Sequence, residues 1–320
     1  MATKTSTPQW LEENKSAFLP PVCNKMLHGD GQLKVFYVGG PNVRKDFHME
    51  EGEEVFFQRQ GDINLVTLQN GNFKDIKIRE GEIFLLPGKI PHSPQRYENT
   101  VGLVIERDRV CGSEYDCLRY FAGDTTETLW ERWFYCVDLG LELGPVIREF
   151  FASEECRTGQ PGVGTFLCPQ YFQPDDVRQT EEPFCLRRWL TSHRSELDSE
   201  GSRRLFDLSY QTDVVALGGG SWTGHNARAE TFLWQVEGSA EVEVAGELHR
   251  LQQDSTLLVP AGTVHSSSRT EGCRHDQHRH GPSRQGAGVR PPGEAHLVLK
   301  PRSEPQPTVI VCVVRLSATV

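Results

Sequence analysis

Three residues able to hold a transition metal stand at intervals that the mouth of one barrel could bring together: His48, Glu54 and His92. Gly40 is followed after five residues by Asp46-Phe47-His48, five more residues lead to Glu54, and six more to Gly61. A second segment runs from Gly81 through five residues to Pro87 and on, past Gly88-Lys89-Ile90-Pro91, to His92. This spacing predicts that His48 and Glu54 project from neighbouring strands and His92 from a third. Two neutral imidazoles and one carboxylate on one side of an ion leave adjacent positions open for a substrate and for oxygen, the facial arrangement of non-haem iron. Fe(2+) is therefore the metal that the ligand types imply. Glu50, Glu51 and Glu53 crowd Glu54, so the acid has to be chosen. Glu54 keeps the six-residue interval to Gly61, whereas Glu53 should face the other side of the pleat. Either histidine alone would read as an ordinary strand residue, but both segments in order favour a metal.

Two arginines flank this constellation. On a strand, Arg44, Asp46 and His48 would share one face, and Arg96 stands four residues after His92. A guanidinium is a planar fork of donors matched to a carboxylate, so a small anionic, aromatic acid is the implied ligand. The alternative reading makes both arginines surface ion-pair partners of the nearby acids. Glu106 ends the otherwise apolar run Val101-Gly102-Leu103-Val104-Ile105 and could orient or deprotonate a substrate.

The elements that must position these residues are mostly strands. Short runs rich in Val, Ile, Phe and Leu cover 33–38, 54–60, 63–68, 75–78, 83–86 and 101–107, several of them separated by glycine turns. Even spacing of this kind predicts a mostly β barrel or sandwich. A short N-terminal helix is expected over Trp10 to Phe18, and helices over about 125–151, including Trp130, Trp133 and Phe134. Strand-like runs resume at 214–217, 232–237, 241–244 and 256–259 in an order that echoes the first half, which suggests internal duplication. The division expected is a catalytic N-terminal domain over 1–160, a linker over 161–177, a degenerate second barrel over 178–268, and an atypical, disordered tail over 269–320. Within that tail, Val309-Ile310-Val311-Cys312-Val313-Val314 reads either as a strand or as a sticky segment with nothing to pair with.

Composition narrows the partners. A chain of 320 residues with a net charge of −10 would repel a phosphate backbone, so nucleic acid is not an expected partner. The polar start Met1-Ala2-Thr3-Lys4 carries no signal-peptide pattern, and no run approaches the ~20 apolar residues of a membrane span. A cytosolic protein with no membrane partner is expected. The nine cysteines form no C-x-x-C pair, which argues against a disulfide framework or a thiolate zinc site.

The two segments around His48 and His92 are close to the paired signatures of cupin barrels, with Asp46 where a first histidine is usual and Arg96 where asparagine is usual. Several stretches resemble the 3-hydroxyanthranilate 3,4-dioxygenase family more narrowly: 18–25, 39–48, 51–56, 81–87, Pro91-His92-Ser93-Pro94-Gln95-Arg96, and Trp133-Phe134-Tyr135-Cys136. The likeness is dense over about 10–160 and thinner to about 268. It points to the animal form, with two cupin (double-stranded β-helix) barrels in one chain, acting as a monomer. The C-terminal cysteine pair of bacterial relatives has no counterpart here. The resemblance implies that His48, Glu54 and His92 bind Fe(2+), and that Arg96, Glu106 and the ligand Glu54 hold the substrate. It also implies that Arg44 stabilises bound O2, and that Arg44 and Glu106 are catalytic. The implied reaction joins 3-hydroxyanthranilate and O2 into 2-amino-3-carboxymuconate 6-semialdehyde, which closes to quinolinate in the kynurenine route to NAD.

The second half keeps a fainter pattern, with His225, then Thr231 at the position of the acid, then His265. Two ligands without a carboxylate favour a structural barrel over a second metal site. His275, His278 and His280 lie in a Pro/Gly/Arg-rich stretch read as a disordered basic segment. Competing functions are a non-catalytic binding or storage cupin, and another cupin enzyme such as a sugar isomerase or a thiol dioxygenase. Arg44, Arg96 and Glu106 argue against the first. Glu54 argues against a thiol dioxygenase, which favours three histidines.

Overall fold

A computed structural model of the chain describes residues 1–20, 23–42, 44–269 and 309–315. The polypeptide builds two double-sheet barrels with few helices, which is the cupin architecture. In the first, the strands Phe184–Cys185, Glu82–Leu86, Glu54–Gln60, Val101–Arg107, Leu33–Gly39 and Asn24–His28 lie in that order in one sheet. The facing sheet has the order Thr128–Phe134, Asp116–Phe121, Phe47–Met49, His92–Arg96, Ile63–Gln69 and Asn72–Ile78. The second barrel pairs a six-stranded sheet with a four-stranded one.

Alternation along each strand assigns the two faces of the first sheet to different cores. From Glu54–Gln60, Phe56 points inward with Ile63, Leu65, Ile76, Phe84 and Val104. From the same strand, Val55 and Phe57 point outward and meet Phe232, Trp234, Val309 and Val311 of the second barrel. The barrels are thus joined back to back by a shared apolar layer. Arg59 donates across the junction to both oxygens of Asp254 at 3.2 and 3.1 Å, and the Phe57 and Trp234 rings meet edge to face at 4.7 Å. The junction also exchanges strands: the N-terminal Thr3–Ser6 pairs with Ser255–Val259 of the second barrel, and Phe184–Cys185 pairs with Glu82–Leu86 of the first.

The apolar run near the C-terminus is a strand, Val309–Arg315, inserted between Thr212–Leu217 and Thr231–Glu237. Val309 and Val311 face the shared layer, while Ile310 and Cys312 face the interior of the second barrel with Leu217, Leu233 and Val242. A strand buried on both faces needs apolar residues at every position, which explains an unbroken run in place of alternation. The rest of the expected tail, including His275, His278 and His280, lies outside the described residues.

Three expectations change. The N-terminal helix begins earlier, at Thr7–Glu13, and is followed by a 3-10 turn over Lys15–Phe18. The region from 125 is not helical throughout: Trp130, Trp133 and Phe134 lie on the strand Thr128–Phe134, and helix begins only at Leu139–Phe151. Their large rings suit a pleated, buried surface, and the strand is paired along its length with Asp116–Phe121. Residues 161–177 are held against the first barrel: Thr165 Oγ1 donates to Leu129 O at 2.9 Å. The Phe172 ring packs edge-on to Trp133 at 4.7 Å, burying an aromatic that a slack linker would leave in water.

Because Ile310 is fully buried in the second barrel, Ile310→Ala should lower stability by about 2–5 kcal/mol, read from urea unfolding monitored by tryptophan fluorescence. A loss of only a few tenths of a kcal/mol would place this strand outside the core.

Candidate active site

The strand Phe47–Met49 carries His48 and pairs with His92–Arg96 so that His48 and His92 are direct register partners. Their rings meet edge to face with centroids 5.4 Å apart. Glu54 opens a strand of the facing sheet, opposite Leu86. The two histidines therefore come from adjacent strands of one sheet and the acid from the other, which corrects the expected pairing of His48 with Glu54 as neighbours. The difference arises at the corner 50–53, where the chain crosses between sheets. Gly88 packs against that corner so closely that a Cβ there would lie 2.3 Å from Glu51 O, and Lys89 N donates to Glu50 O at 2.6 Å.

One ligand atom from each of His48, Glu54 and His92 lies within 4.8 Å of the other two, and all three residues are buried. His92 Nδ1 is 3.0 Å from Ile90 O. Donating that proton to the carbonyl leaves Nε2 as the free nitrogen, as in metal-bound histidines. His92 Nε2 lies 3.0 Å from Glu54 Oε1, so the two candidate ligand atoms face one another in the barrel interior. A buried carboxylate grouped with two buried imidazoles is a donor set that fits a divalent cation. Burial alone would raise the Glu54 carboxyl and lower His92, but the two charges reverse both shifts. Glu53 is excluded as the acid because its oxygens accept from Gln211 N and Thr212 N at 3.0 and 2.8 Å, on the side of the second barrel.

Arg96 is buried, and its Nη1 has no hydrogen-bond partner. Burial, with the neighbouring charge of Arg44 adding to it, pulls this guanidinium down to about 10. Leaving a buried cation unpaired is costly, so the position suits an incoming anion. Arg96 is not a surface ion-pair residue. Arg44 differs: its guanidinium is paired with Asp46 and about a fifth exposed. It also lies in irregular backbone, because regular pairing begins only at Phe47. The expected strand face shared by Arg44, Asp46 and His48 is therefore absent. Arg44 lines a cavity of about 650 Å³ with Cys23, Asn24, Tyr120 and Ile147. Glu106 lines another, of about 400 Å³, with Asn24, Phe36, Arg109 and Leu139. The helix Leu139–Phe151 contributes to the lining of both cavities.

A comparison with known proteins places these features. A family model described as 3-hydroxyanthranilic acid dioxygenase matches residues 1–151. The chain is 52% identical over 263 residues to the 3-hydroxyanthranilate 3,4-dioxygenase of Bos taurus, covering 82% of this chain and 91% of that one. It is 49% identical over 272 residues to the Homo sapiens enzyme of the same name, covering 85% and 94%. The chain belongs to the 3-hydroxyanthranilate 3,4-dioxygenase family. Among solved structures, a salicylate 1,2-dioxygenase from Pseudoaminobacter salicylatoxidans matches with a TM-score of 0.53 at 12% identity, over 98% of this chain and 84% of that one. That likeness is one of fold.

Sequence reasoning missed three buried residues around the family's site: Glu50, Arg109 and Asp116. Glu50, Glu54 and Glu106 bring carboxylate oxygens within 4.8 Å of one another. Burial, reinforced by the neighbouring carboxylates, raises the acids at Glu50 and Glu106, against the pull of Arg109. Glu50 is one of several acids crowding Glu54 in the sequence, and no motif marks Arg109 or Asp116. In the second barrel, His225, Thr231 and His265 line a cavity of about 580 Å³ with Trp222 and Cys312. No third metal-ligating group joins the two histidines among the described residues.

Glu54→Gln should abolish metal retention, while Glu53→Gln should leave metal content unchanged and lower the unfolding midpoint by loosening the Gln211–Thr212 contact. Metal analysis of the purified variants checks both, and the reverse pattern would assign the wrong acid.

Proposed function

We propose that the chain is a ring-cleaving dioxygenase that converts 3-hydroxyanthranilate and O2 into 2-amino-3-carboxymuconate 6-semialdehyde, with Fe(2+) held by His48, Glu54 and His92. The observation that carries this reading is the buried, unpartnered Nη1 of Arg96 in the same barrel as the buried group of His48, Glu54 and His92. A carboxylate-bearing aromatic acid satisfies the first, and a divalent cation the second. Family membership supports the choice of substrate.

Arg96 binds the substrate carboxylate through its guanidinium fork, which orients the ring relative to the three ligands. Glu106 Oε2 is buried without a partner. With its acid strength weakened by burial, Glu106 can hold a proton taken from the ring hydroxyl or amino group. Arg44 keeps a positive charge at the cavity on the other side of Asn24 and interacts with developing negative charge on oxygen. The apolar lining, with Phe56, Leu86 and Val104 inside the barrel, excludes bulk water and strengthens each of these interactions. Fe(2+) held by His48, Glu54 and His92 would supply the redox chemistry that lets an aromatic ring react with O2. Both oxygen atoms enter the product, the ring opens next to the hydroxyl-bearing carbon, and the product closes to quinolinate. This places the chain in tryptophan breakdown through kynurenine and in pyridine nucleotide biosynthesis. The same reading makes it a cytosolic monomer; no helix among the described residues is long and apolar enough to cross a membrane.

A storage or binding role does not account for Arg96. A buried guanidinium without an anion is a cost that mere metal retention leaves unpaid.

Protein loaded with Fe(2+) under anaerobic conditions, then given 3-hydroxyanthranilate and air, should consume one O2 per substrate and lose the absorbance of the aromatic ring. Arg96→Ala should raise KM by at least about tenfold, the scale of a lost charged hydrogen bond. Full iron occupancy without oxygen uptake would refute the activity, and an unchanged KM would remove Arg96 from the substrate site.

A further inference from the structure

A single guanidinium links the proposed substrate group to the proposed metal ligand. Arg109 follows the strand Val101–Arg107, and its side chain is 4% exposed. Its Nε and Nη2 donate as a fork to the two oxygens of Asp116, at 2.8 and 2.7 Å. Its Nη1 donates to Glu106 Oε1 at 2.6 Å and to Arg107 O at 3.2 Å, and its Nη2 lies 3.0 Å from Glu50 Oε2. Asp116 in turn brings Oδ2 to 2.8 Å from His48 Nε2. Held by Arg109, the Asp116 carboxyl is placed to accept from His48 Nε2, and that contact turns Nδ1 to the ring's other side as the nitrogen left for a metal. Asp116 opens the strand Asp116–Phe121, which runs beside Phe47–Met49 with Leu118 opposite His48. The contact is therefore set by the register of two strands.

We propose that Arg109 and Asp116 are positioning residues of the dioxygenase reaction: through Asp116, Arg109 fixes the ring orientation and tautomer of His48, and directly it fixes the carboxylate of Glu106. This rests on the reading of His48 as a metal ligand and of Glu106 as a substrate group. Three features distinguish the arrangement from a purely structural ion pair. The guanidinium uses both of its edges, one on each functional group, and only the planar fork of arginine can do so. Glu106 keeps its other oxygen, Oε2, free of protein partners, so Arg109 orients the acid without consuming it. Asp116 is 0% exposed, so no water can take over its contact to His48. Outer carboxylates of this kind typically change metal affinity by about 10–100-fold when altered.

Asp116→Asn keeps the shape of the side chain and removes the charge that selects the His48 tautomer. Arg109→Lys keeps the charge and removes the fork. Both are made in the full chain, with unfolding midpoints measured alongside. Fe(2+) affinity is measured anaerobically on the metal-free proteins against a chromophoric chelator, and KM and kcat for 3-hydroxyanthranilate at saturating Fe(2+). Asp116→Asn should weaken Fe(2+) binding by about 10–100-fold. Arg109→Lys should weaken it likewise and also raise KM by at least about tenfold as Glu106 is released. The proposal is overturned if either variant binds Fe(2+) within about twofold of the unsubstituted chain, or if Arg109→Lys leaves KM within about twofold. The affinity arm requires no turnover. An unsubstituted chain that binds Fe(2+) but takes up no oxygen would defeat the assigned activity, while the Asp116–His48 half of the proposal would still be decided.

Discussion

Glu50, Glu54, Glu106 and Asp116 are buried together in the interior of one barrel, and like charges at such separations repel strongly where water is excluded. The site exists only because cations offset that repulsion. Arg109 supplies one positive charge to three of the acids, and the position between His48, Glu54 and His92 suits a divalent ion for the rest. The acids at Glu50 and Glu106 are pushed upward by burial and by one another, against the pull of Arg109.

The rest of the fold serves to hold this unfavourable concentration of charge. The inner faces of both sheets of the first barrel supply an apolar layer under the site, and the outer face of one of them is closed by the second barrel. The second barrel thus contributes packing to the back of the sheet that carries Glu54 and Glu106. Its own central strand comes from Val309–Arg315, far along the chain, and the exchange of Thr3–Ser6 and Phe184–Cys185 between barrels ties the two together. Among the described residues, the terminal strand Val309–Arg315 is thereby drawn into the second barrel and the layer between the two.

The two-barrel fold and the candidate triad are legible in the sequence for different reasons. Glycine turns and apolar runs mark most long strands, and the fixed intervals Gly40 to Glu54 and Gly81 to His92 mark the three residues that the structure brings together. The strands that carry the histidines were not legible. Phe47–Met49 and His92–Arg96 are short and contain polar residues or proline, because their inward side chains serve the site and not the apolar core. Trp130 and Trp133 read as helical because aromatic clustering does not distinguish a buried strand from a helix face. Arg109 and Asp116 were invisible for a third reason: their role comes from strand register and from a turn after Arg107, and neither leaves a spacing rule in the sequence.

In the proposed site, two imidazoles and one carboxylate from this barrel hold the metal on one side and leave the other open. X-ray absorption at the iron edge of anaerobically loaded protein, with and without 3-hydroxyanthranilate, tests it most directly. The account predicts a nitrogen and oxygen shell with scattering from two imidazoles in both states, and replacement of water by substrate atoms when 3-hydroxyanthranilate is added. A sulfur shell, a third imidazole, or a spectrum unchanged by substrate would contradict it.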